Sequence, residues 1–524
     1  MAIDPSVSPS NPAATSGYWD DPRAGSDAVL SQGDLDRNAI PAATDSQGTS
    51  LVERFLPALD PAIAVNGSNT NPGARTQGST PDGKPIQVDP LHTGEQATVA
   101  RERTLADAGG GRTYVSSDQL VFTTTGTGND NVGVTQRSDG TVVVKVNGEE
   151  YDVSLAQGQE LTLRVGAGDD VVEVAPNVRV NIVVEGGSGN DRITTGAGYD
   201  RIDGGAGDDT ITSNGGRDDV FGNTGNDTVA AGAGDDVVYG GDGNDTLAAG
   251  EGTNFIEAGA GNDRIDGSTG KNMISAGRGD DAITSGGGNS IYAGDGTDTI
   301  DGATRTDKVY AQSADQVRFA ANQGDTSQVV VNVAIDARLG TRGVTVEGSD
   351  AFRQRVEAEL DFLRSSPNGQ QMLAQFDAAA AKGNTVTIRE LANEQNGYAQ
   401  TLGRGNAEIS NGRAGTGSDV AISYNPSFHM DAFPAPAVVL YHEMSHAYNG
   451  VNGTFQPGTY SGTGPDSGNV PNAERQAVGL ETSARPFDFD SNPATPATTQ
   501  NPIALTENGI RRELGLPDRP NYTL

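Results

Sequence analysis

Apolar positions along the chain follow different periods in different regions. Between residues 113 and 184 they alternate with polar ones, as in Thr141-Val142-Val143-Val144-Lys145-Val146 and Leu161-Thr162-Leu163-Arg164-Val165, and Asn147-Gly148 is a hairpin turn signal. Alternation of this kind predicts strands, here a β-rich segment capping the next region. Over residues 185–311 the alternation gives way to one aliphatic residue in nine: Ile193, Ile202, Ile211, Val220, Val229, Val238, Leu247, Ile256, Ile265, Ile274 and Ile283. After a one-residue deletion the series resumes at Ile291, Ile300 and Val309. Residues 312–347 read as a β-rich connector containing Gln328-Val329-Val330-Val331-Asn332-Val333. From residue 348 helical spacing takes over: Phe352, Val356, Leu360 and Leu363 share one helix face. Met372, Leu373 and Phe376 mark a second helix after Pro367-Asn368-Gly369, and Thr385-Val386-Thr387-Ile388 a strand.

The nine-residue unit, as in Gly204-Gly205-Ala206-Gly207-Asp208-Asp209-Thr210-Ile211-Thr212, has the form GGxGxDxUx with U apolar. Its xUx triplet suits a very short strand, and its glycines supply positive φ in the loop between strands. Stacked units predict a parallel β-roll. The carboxylate position holds Asp191, Asp200, Asp209, Asp218, Asp227, Asp236, Asp245, Asp263, Asp281, Asp298 and Asp307, with Asn254, Asn272 and Asn289 as degenerate turns. Carbonyl oxygens and these carboxylates face a gap that suits several calcium ions. One inward aliphatic per nine residues is a thin core, and closely stacked carboxylates repel until a cation neutralises them, so calcium-dependent folding is expected. This region resembles the RTX haemolysin-type repeats.

Residues 1–112 are rich in Ser, Pro, Asn, Asp, Gly and Ala with few aromatic or β-branched clusters. Such a composition cannot offset its ordering entropy, and a disordered secretion or linker region is expected. Its amphipathic patch Leu51-Val52-Glu53-Arg54-Phe55-Leu56-Pro57-Ala58-Leu59 suits docking on a partner such as a secretion chaperone. Across the 524 residues, 70 Asp and Glu against 35 Lys and Arg leave a net charge of −35. That balance argues against nucleic acid and anionic membranes and for bound cations. No cysteine is present, so neither disulfides nor Cys-ligated zinc hold the fold. No apolar run is long enough to span a bilayer, and the start lacks the charged and apolar regions of a cleaved signal. The expected product is secreted by a route without a cleaved signal.

The chemistry concentrates near the C-terminus. Pro434 and Pro436 suit a helix start, and residues 437–448 read as one helix carrying His442-Glu443-Met444-Ser445-His446. The spacing i, i+4 stacks two imidazoles on one face, where both can bind one zinc, and Glu443 beside them can take a proton from an attacking water. Asn449 and Asn452 stand where a metzincin continuation has Gly and a third His, so the third ligand must come from elsewhere. Asn472-Ala473-Glu474-Arg475-Gln476-Ala477-Val478-Gly479-Leu480-Glu481 reads as a following helix with Glu474 and Glu481 on one face. Glu474 is the expected zinc ligand and Glu481 its supporting neighbour, with the reverse assignment open. His429, Tyr448, Arg511 and Tyr522 are candidates for stabilising the oxyanion or the ligands.

The C-terminal third resembles the NleD, XopG and HopH group of type III secreted effector metallopeptidases. The resemblance rests on Tyr441-His442-Glu443-Met444-Ser445-His446-Ala447-Tyr448-Asn449, on the segment from Asn472 to Gly479, and on Glu507-Asn508, Arg511, Glu513-Leu514-Gly515-Leu516, Arg519 and Tyr522. It implies an α+β zincin-like domain over residues 348–524, a zinc endopeptidase delivered into a host cell and acting on a host protein. The long N-terminal region and the repeats depart from that group. A calcium-stabilised adhesin or surface protein whose C-terminal domain is inactive or self-processing, and an RTX exoprotease exported by type I secretion, therefore stand as alternatives.

Overall fold

The computed structural model describes residues 74–523 except 110–111, 157, 393–397, 403–406, 428–434 and 490–493. It adds the backbone of three short strands, Tyr18–Asp20, Ile40–Pro41 and Ile63–Val65. The Leu51 to Leu59 patch and His429 lie outside the described residues.

Over the repeats the triplets become strands that alternate between two long sheets, so one turn takes two nonapeptides. Ile193, Ile211, Val229, Leu247, Ile265, Ile283 and Ile300 stand in register along one sheet. Ile202, Val220, Val238, Ile256, Ile274, Ile291 and Val309 do so along the other. All of them are buried in one continuous core. The result is a parallel β-solenoid of about ten turns over residues 161–332. Its glycines are sterically required: at Gly207, with φ 129°, a Cβ would sit 2.0 Å from the Gly189 carbonyl oxygen of the preceding turn.

The ends of the solenoid differ from the sequence expectation. Glu160–Ala167 and Val171–Val174 already pair in parallel with solenoid strands. Of the connector strands, Gln316–Phe319 and Val330–Asn332 finish the two solenoid sheets, while Val344–Glu347 enters the C-terminal sheet. The cap also begins earlier than residue 113. Thr76–Ser79, Pro85–Thr93, Ala97–Gly109 and Arg112–Thr124 form an antiparallel run, which corrects the expected disorder for that part of residues 1–112. Up to residue 109 these strands carry few β-branched or aromatic clusters. They are held by their ladder, by Ala97, Val99, Leu120 and Phe122 in the core, and by ion pairs such as Arg101 with Asp118 and Arg164 with Glu102. The Asn147-Gly148 turn joins Val142–Val146 to Glu149–Val153 with positive φ at both residues, as a tight hairpin needs.

The C-terminal domain is built on a sheet in the order Tyr18–Asp20, Tyr398–Leu402, Asp419–Tyr424, Val386–Glu390, Val344–Glu347. Five helices accompany it among the described residues: α1 (Asp350–Ser365), α2 (Pro367–Ala380), α3 (Pro436–Asn452), α4 (Asn472–Val478) and α5 (Glu507–Glu513). Helix α2 starts at Pro367 rather than after Gly369, because Ser366 caps it and proline tolerates the first helical position. Helix α3 outruns its expected end and stops at Gly453, which takes the left-handed conformation with φ 68°. Every residue of α3 except Asn452 is buried, so it is the central element of the domain. No helix among the described residues is long and apolar enough to cross a membrane.

Solenoid and C-terminal domain share a second core. On one solenoid sheet the residues flanking the inward aliphatic are large: Phe221, Tyr239, Phe255, Met273, Tyr292 and Tyr310 face outward yet are buried against α1 and its neighbours. The Phe362 ring meets those of Tyr292 and Phe255 edge-on, at centroid distances of 4.8 and 6.3 Å. The Arg355 guanidinium lies 3.4 Å from the Phe221 ring centroid. Glu359 of α1 accepts hydrogen bonds from Tyr239 of the solenoid (2.6 Å) and Tyr424 of the C-terminal sheet (2.8 Å).

Candidate metal centre

Helix α3 places His442, Glu443 and His446 in the interior, each fully buried. Two of its side chains anchor it: Tyr441 donates to the Asn368 carbonyl (2.9 Å) and Ser445 to the Leu505 carbonyl (2.7 Å). Helix α4 supplies the third group. One ligand atom each from His442, His446 and Glu474 lie within 4.8 Å of one another. His446 Nε2 is 3.0 Å and His442 Nε2 3.7 Å from Glu474 Oε2. Helix α4 is tied to α3 through Gln476, whose amide donates to Asn449 Oδ1 (3.1 Å), the Thr454 carbonyl (3.0 Å) and Asn501 Oδ1 (2.9 Å). Asn449, which replaces the metzincin glycine, thus lies within α3 and helps to anchor the helix that carries Glu474.

Glu481 is not placed as expected. Helix α4 stops at Val478 because Gly479 adopts φ 91°, and Glu481 lies exposed beyond the turn. The supporting carboxylate comes instead from α5. His442 Nδ1 is 2.9 Å from Glu507 Oε2, and the buried Arg519 (3.0 Å) and Arg511 (3.3 Å) both bond Glu507. Arg511 is thus engaged with Glu507, behind His442. Glu507 and Arg519 stand among the residues that carry the family resemblance, but neither has the paired spacing that reveals a role in sequence.

Tyr522 sits near the imidazoles, its ring centroid 6.4 Å from that of His442. It is held there by Asp466, which accepts the Tyr522 and Thr523 backbone N–H groups (2.9 Å each) and pairs with Arg475 of α4. Tyr448 is buried in the shared core. Electrostatics favour a cation site. Burial works to raise the Glu474 carboxyl, yet His446 and then His442 hold it down at about 2. Burial likewise opposes ionisation of Glu507, and Arg519 first, then His442, hold it at about 2. Burial pushes the His446 imidazole down, toward the neutral form that binds metals.

The solenoid carries a second set of candidate ligands. Along each edge, Oδ1 of one aspartate accepts the backbone N–H of the equivalent residue a turn earlier, as from Asp191 to Asp209 (2.7 Å) and from Asp209 to Asp227 (2.8 Å). The ladder continues past the repeats to Asp170 and Asp130 at one end and Asp315 at the other. The second oxygen, Oδ2, of Asp191, Asp200, Asp209, Asp218, Asp227, Asp236, Asp245, Asp263, Asp281 and Asp298 is buried with no hydrogen-bond partner. Such oxygens fit a hard cation. Asp307 is the exception, since its Oδ2 accepts from Ser285 and the Thr304 N–H. Burial, ahead of the neighbouring carboxylates, pushes Asp218 and Asp281 up to about 8 and Asp209, Asp227, Asp245 and Asp298 up to about 7.

Residues 340–522 match the family model Peptidase M91, described as an effector protein. Residues 185–220, 221–256, 257–291 and 282–309 match the RTX calcium-binding nonapeptide repeat. No curated protein and no solved structure matches the chain. The chain thus combines an M91 effector peptidase domain with the calcium-binding repeats that precede it, the arrangement expected from the sequence.

Proposed function

We propose that the chain is a secreted zinc-dependent endopeptidase that cleaves a host protein, with the RTX solenoid as its calcium-bound scaffold. The reading is carried by the buried convergence of His442, His446 and Glu474 on helices α3 and α4 inside an M91 domain. Two imidazoles and one carboxylate fit zinc in a catalytic site, three protein ligands leaving a fourth position open. Held by His442, His446 and Glu474, zinc would supply Lewis acidity toward the scissile carbonyl and the attacking water. Glu443, next to His442 on the same helix, takes the proton of the attacking water and delivers it to the leaving amine. Glu507 orients His442, and Tyr522, whose ring centroid lies 6.4 Å from that of His442, is a candidate for stabilising the oxyanion. Both matched families are typical of secreted proteins, and an effector peptidase implies a protein substrate.

Purified protein should hold about one zinc per chain, and Glu443→Ala should keep the metal and lose at least a hundredfold in activity. The assay is proteomic detection of new N-termini in host lysate treated with wild type or the variant. A wild-type chain without zinc, or identical N-termini from both proteins, refutes the reading.

A further inference from the structure

Helix α5 belongs to two structures at once. Its first residue, Glu507, bonds His442 Nδ1, and through it the imidazole that presents Nε2 toward Glu474. Its C-terminal end is seated on the solenoid. Tyr310 donates to the Glu513 carbonyl (3.3 Å), Ser290 to the Leu514 carbonyl (2.9 Å), and Lys271 to the Gly515 carbonyl (3.0 Å). These donors come from three solenoid strands, Lys271–Ser275, Ser290–Tyr292 and Lys308–Ala311, which pair in that order. Only a folded solenoid brings residues 271, 290 and 310 into one row. The same strands contribute Met273, Tyr292 and Tyr310 to the core around α1. With seven residues α5 is too short to hold its shape and place alone, since short helices draw most of their stability from tertiary packing.

We propose that Glu507 is the positioning residue of the metal site, and that the solenoid, by seating α5, makes metal binding at His442, His446 and Glu474 depend on calcium. This rests on the zinc-peptidase reading above. With calcium the strand row is ordered, α5 is seated and Glu507 holds the His442 ring. Without it the row loosens, the ring is free to turn, and the metal site is incomplete. The peptidase is then completed only where calcium is plentiful. Groups that support a ligating imidazole typically change metal affinity 10- to 100-fold, which sets the expected scale.

The test uses the full chain and zinc itself. Zinc affinity is measured by competition with a chromophoric zinc indicator, in buffer freed of calcium on a chelating resin and in the same buffer with calcium restored. Wild type should bind zinc at least tenfold more tightly with calcium. The triple variant Lys271→Met, Ser290→Ala, Tyr310→Phe removes the three donors and keeps the Tyr310 ring. It should lose most of that gain while its calcium-induced β-structure, read by circular dichroism, is unchanged. Glu507→Gln should weaken zinc 10- to 100-fold in calcium. Glu507→Asp retains the charge that Arg519 and Arg511 require but shortens the reach to His442; it should weaken zinc with the zinc-free unfolding midpoint preserved. Equal zinc affinity with and without calcium overturns the coupling while leaving the peptidase reading intact. Wild-type zinc affinity in both Glu507 variants overturns the positioning role. A chain that binds no zinc in either buffer overturns the proposed function itself, and this inference with it.

Discussion

Asp227 offers a test of what the carboxylate ladder costs. Its Oδ1 accepts the Asp209 N–H, and its Oδ2 is buried without a hydrogen-bond partner. Burial, then the neighbouring carboxylates Asp245 and Asp208, push it up to about 7. An ordinary aspartate titrates near 4, and each pH unit of difference is worth ~1.4 kcal/mol. For an acid whose folded pKa is raised, stability is fully present below the ordinary value and is lost as pH rises through the folded one. In the absence of calcium, Asp227 therefore withdraws up to about 4 kcal/mol of stability between pH 4 and pH 7. Asp209, Asp245 and Asp298 are pushed to about 7 and Asp218 and Asp281 to about 8. A few such contributions exhaust the 5–15 kcal/mol by which domains are stable. The calcium-free solenoid should hold at mildly acidic pH and unfold near neutrality.

The substitution Asp227→Asn separates charge from shape. Asparagine keeps the Oδ1 acceptor, as Asn254 does for the Asp236 N–H at 2.9 Å, and its amide can donate to the next residue of the ladder, as Asn254 donates to Asn272 at 2.9 Å. At pH 6 without calcium, where the wild type is still folded, the variant should be more stable than wild type by up to about 3 kcal/mol. In saturating calcium the order reverses, because a neutral ligand has replaced a charged one. The assay is thermal unfolding followed by circular dichroism in the two buffers. A variant less stable than wild type in both refutes the electrostatic account; one more stable in both refutes the calcium assignment at this position.

Named contacts carry the other expectations. Phe362→Ala removes the ring between Tyr292 and Phe255 and should cost about 3–5 kcal/mol in chemical denaturation, with solenoid and peptidase signals shifting together. Glu474→Gln should abolish stoichiometric zinc in elemental analysis, whereas Glu481→Gln, exposed beyond α4, should leave it unchanged. Calcium removal at pH 7.5 should lose β-structure reversibly by circular dichroism, and lowering the pH of the same sample to about 5 should restore part of it, since protonation neutralises the ladder.

How much of the molecule was legible in its sequence depended on whether the determining contact was local. The nine-residue aliphatic period is a local pattern, and it predicted the roll and the residues of its core. The His442 to His446 spacing is local too, and it placed both imidazoles on one helix face. Glu474 was reachable because its helix follows in sequence. The end of α4 was also written locally: Gly479 is a helix-stop signal, and reading through it gave Glu481 a place it does not have. Glu507 carried no such signal. It lies 65 residues from His442, in a helix of seven residues that packs on α2 and α3, far away in sequence, and touches the solenoid through Leu514. The cap strands over residues 76–109 were hidden for a related reason: few of their own residues, Ala97 and Val99 among them, enter the core, and the rest is held by pairing and ion pairs with other strands.

The asymmetry between the two solenoid sheets was present in the sequence in a weaker form. Beside the inward aliphatic, one sheet carries Phe221, Tyr239, Phe255, Met273, Tyr292 and Tyr310, where the other carries Thr212, Ala230, Ala248, Asp266, Thr284 and Asp301. A solenoid that acts as a free-standing spacer has no use for such asymmetry, because an outward aromatic row exposed to water is a liability. Here the row is buried, and the peptidase helix α1 covers it. The polar sheet faces solvent, and the aromatic sheet forms the floor of a second domain. This bears on the alternatives left open by the motifs. An adhesin shaft with an incidental C-terminal domain needs no shared core, whereas an RTX exoprotease is as compatible with one as an effector peptidase is. A peptidase domain whose helix α1 packs on the aromatic sheet does need one, and removing the solenoid should expose the face of α1 that carries Phe362.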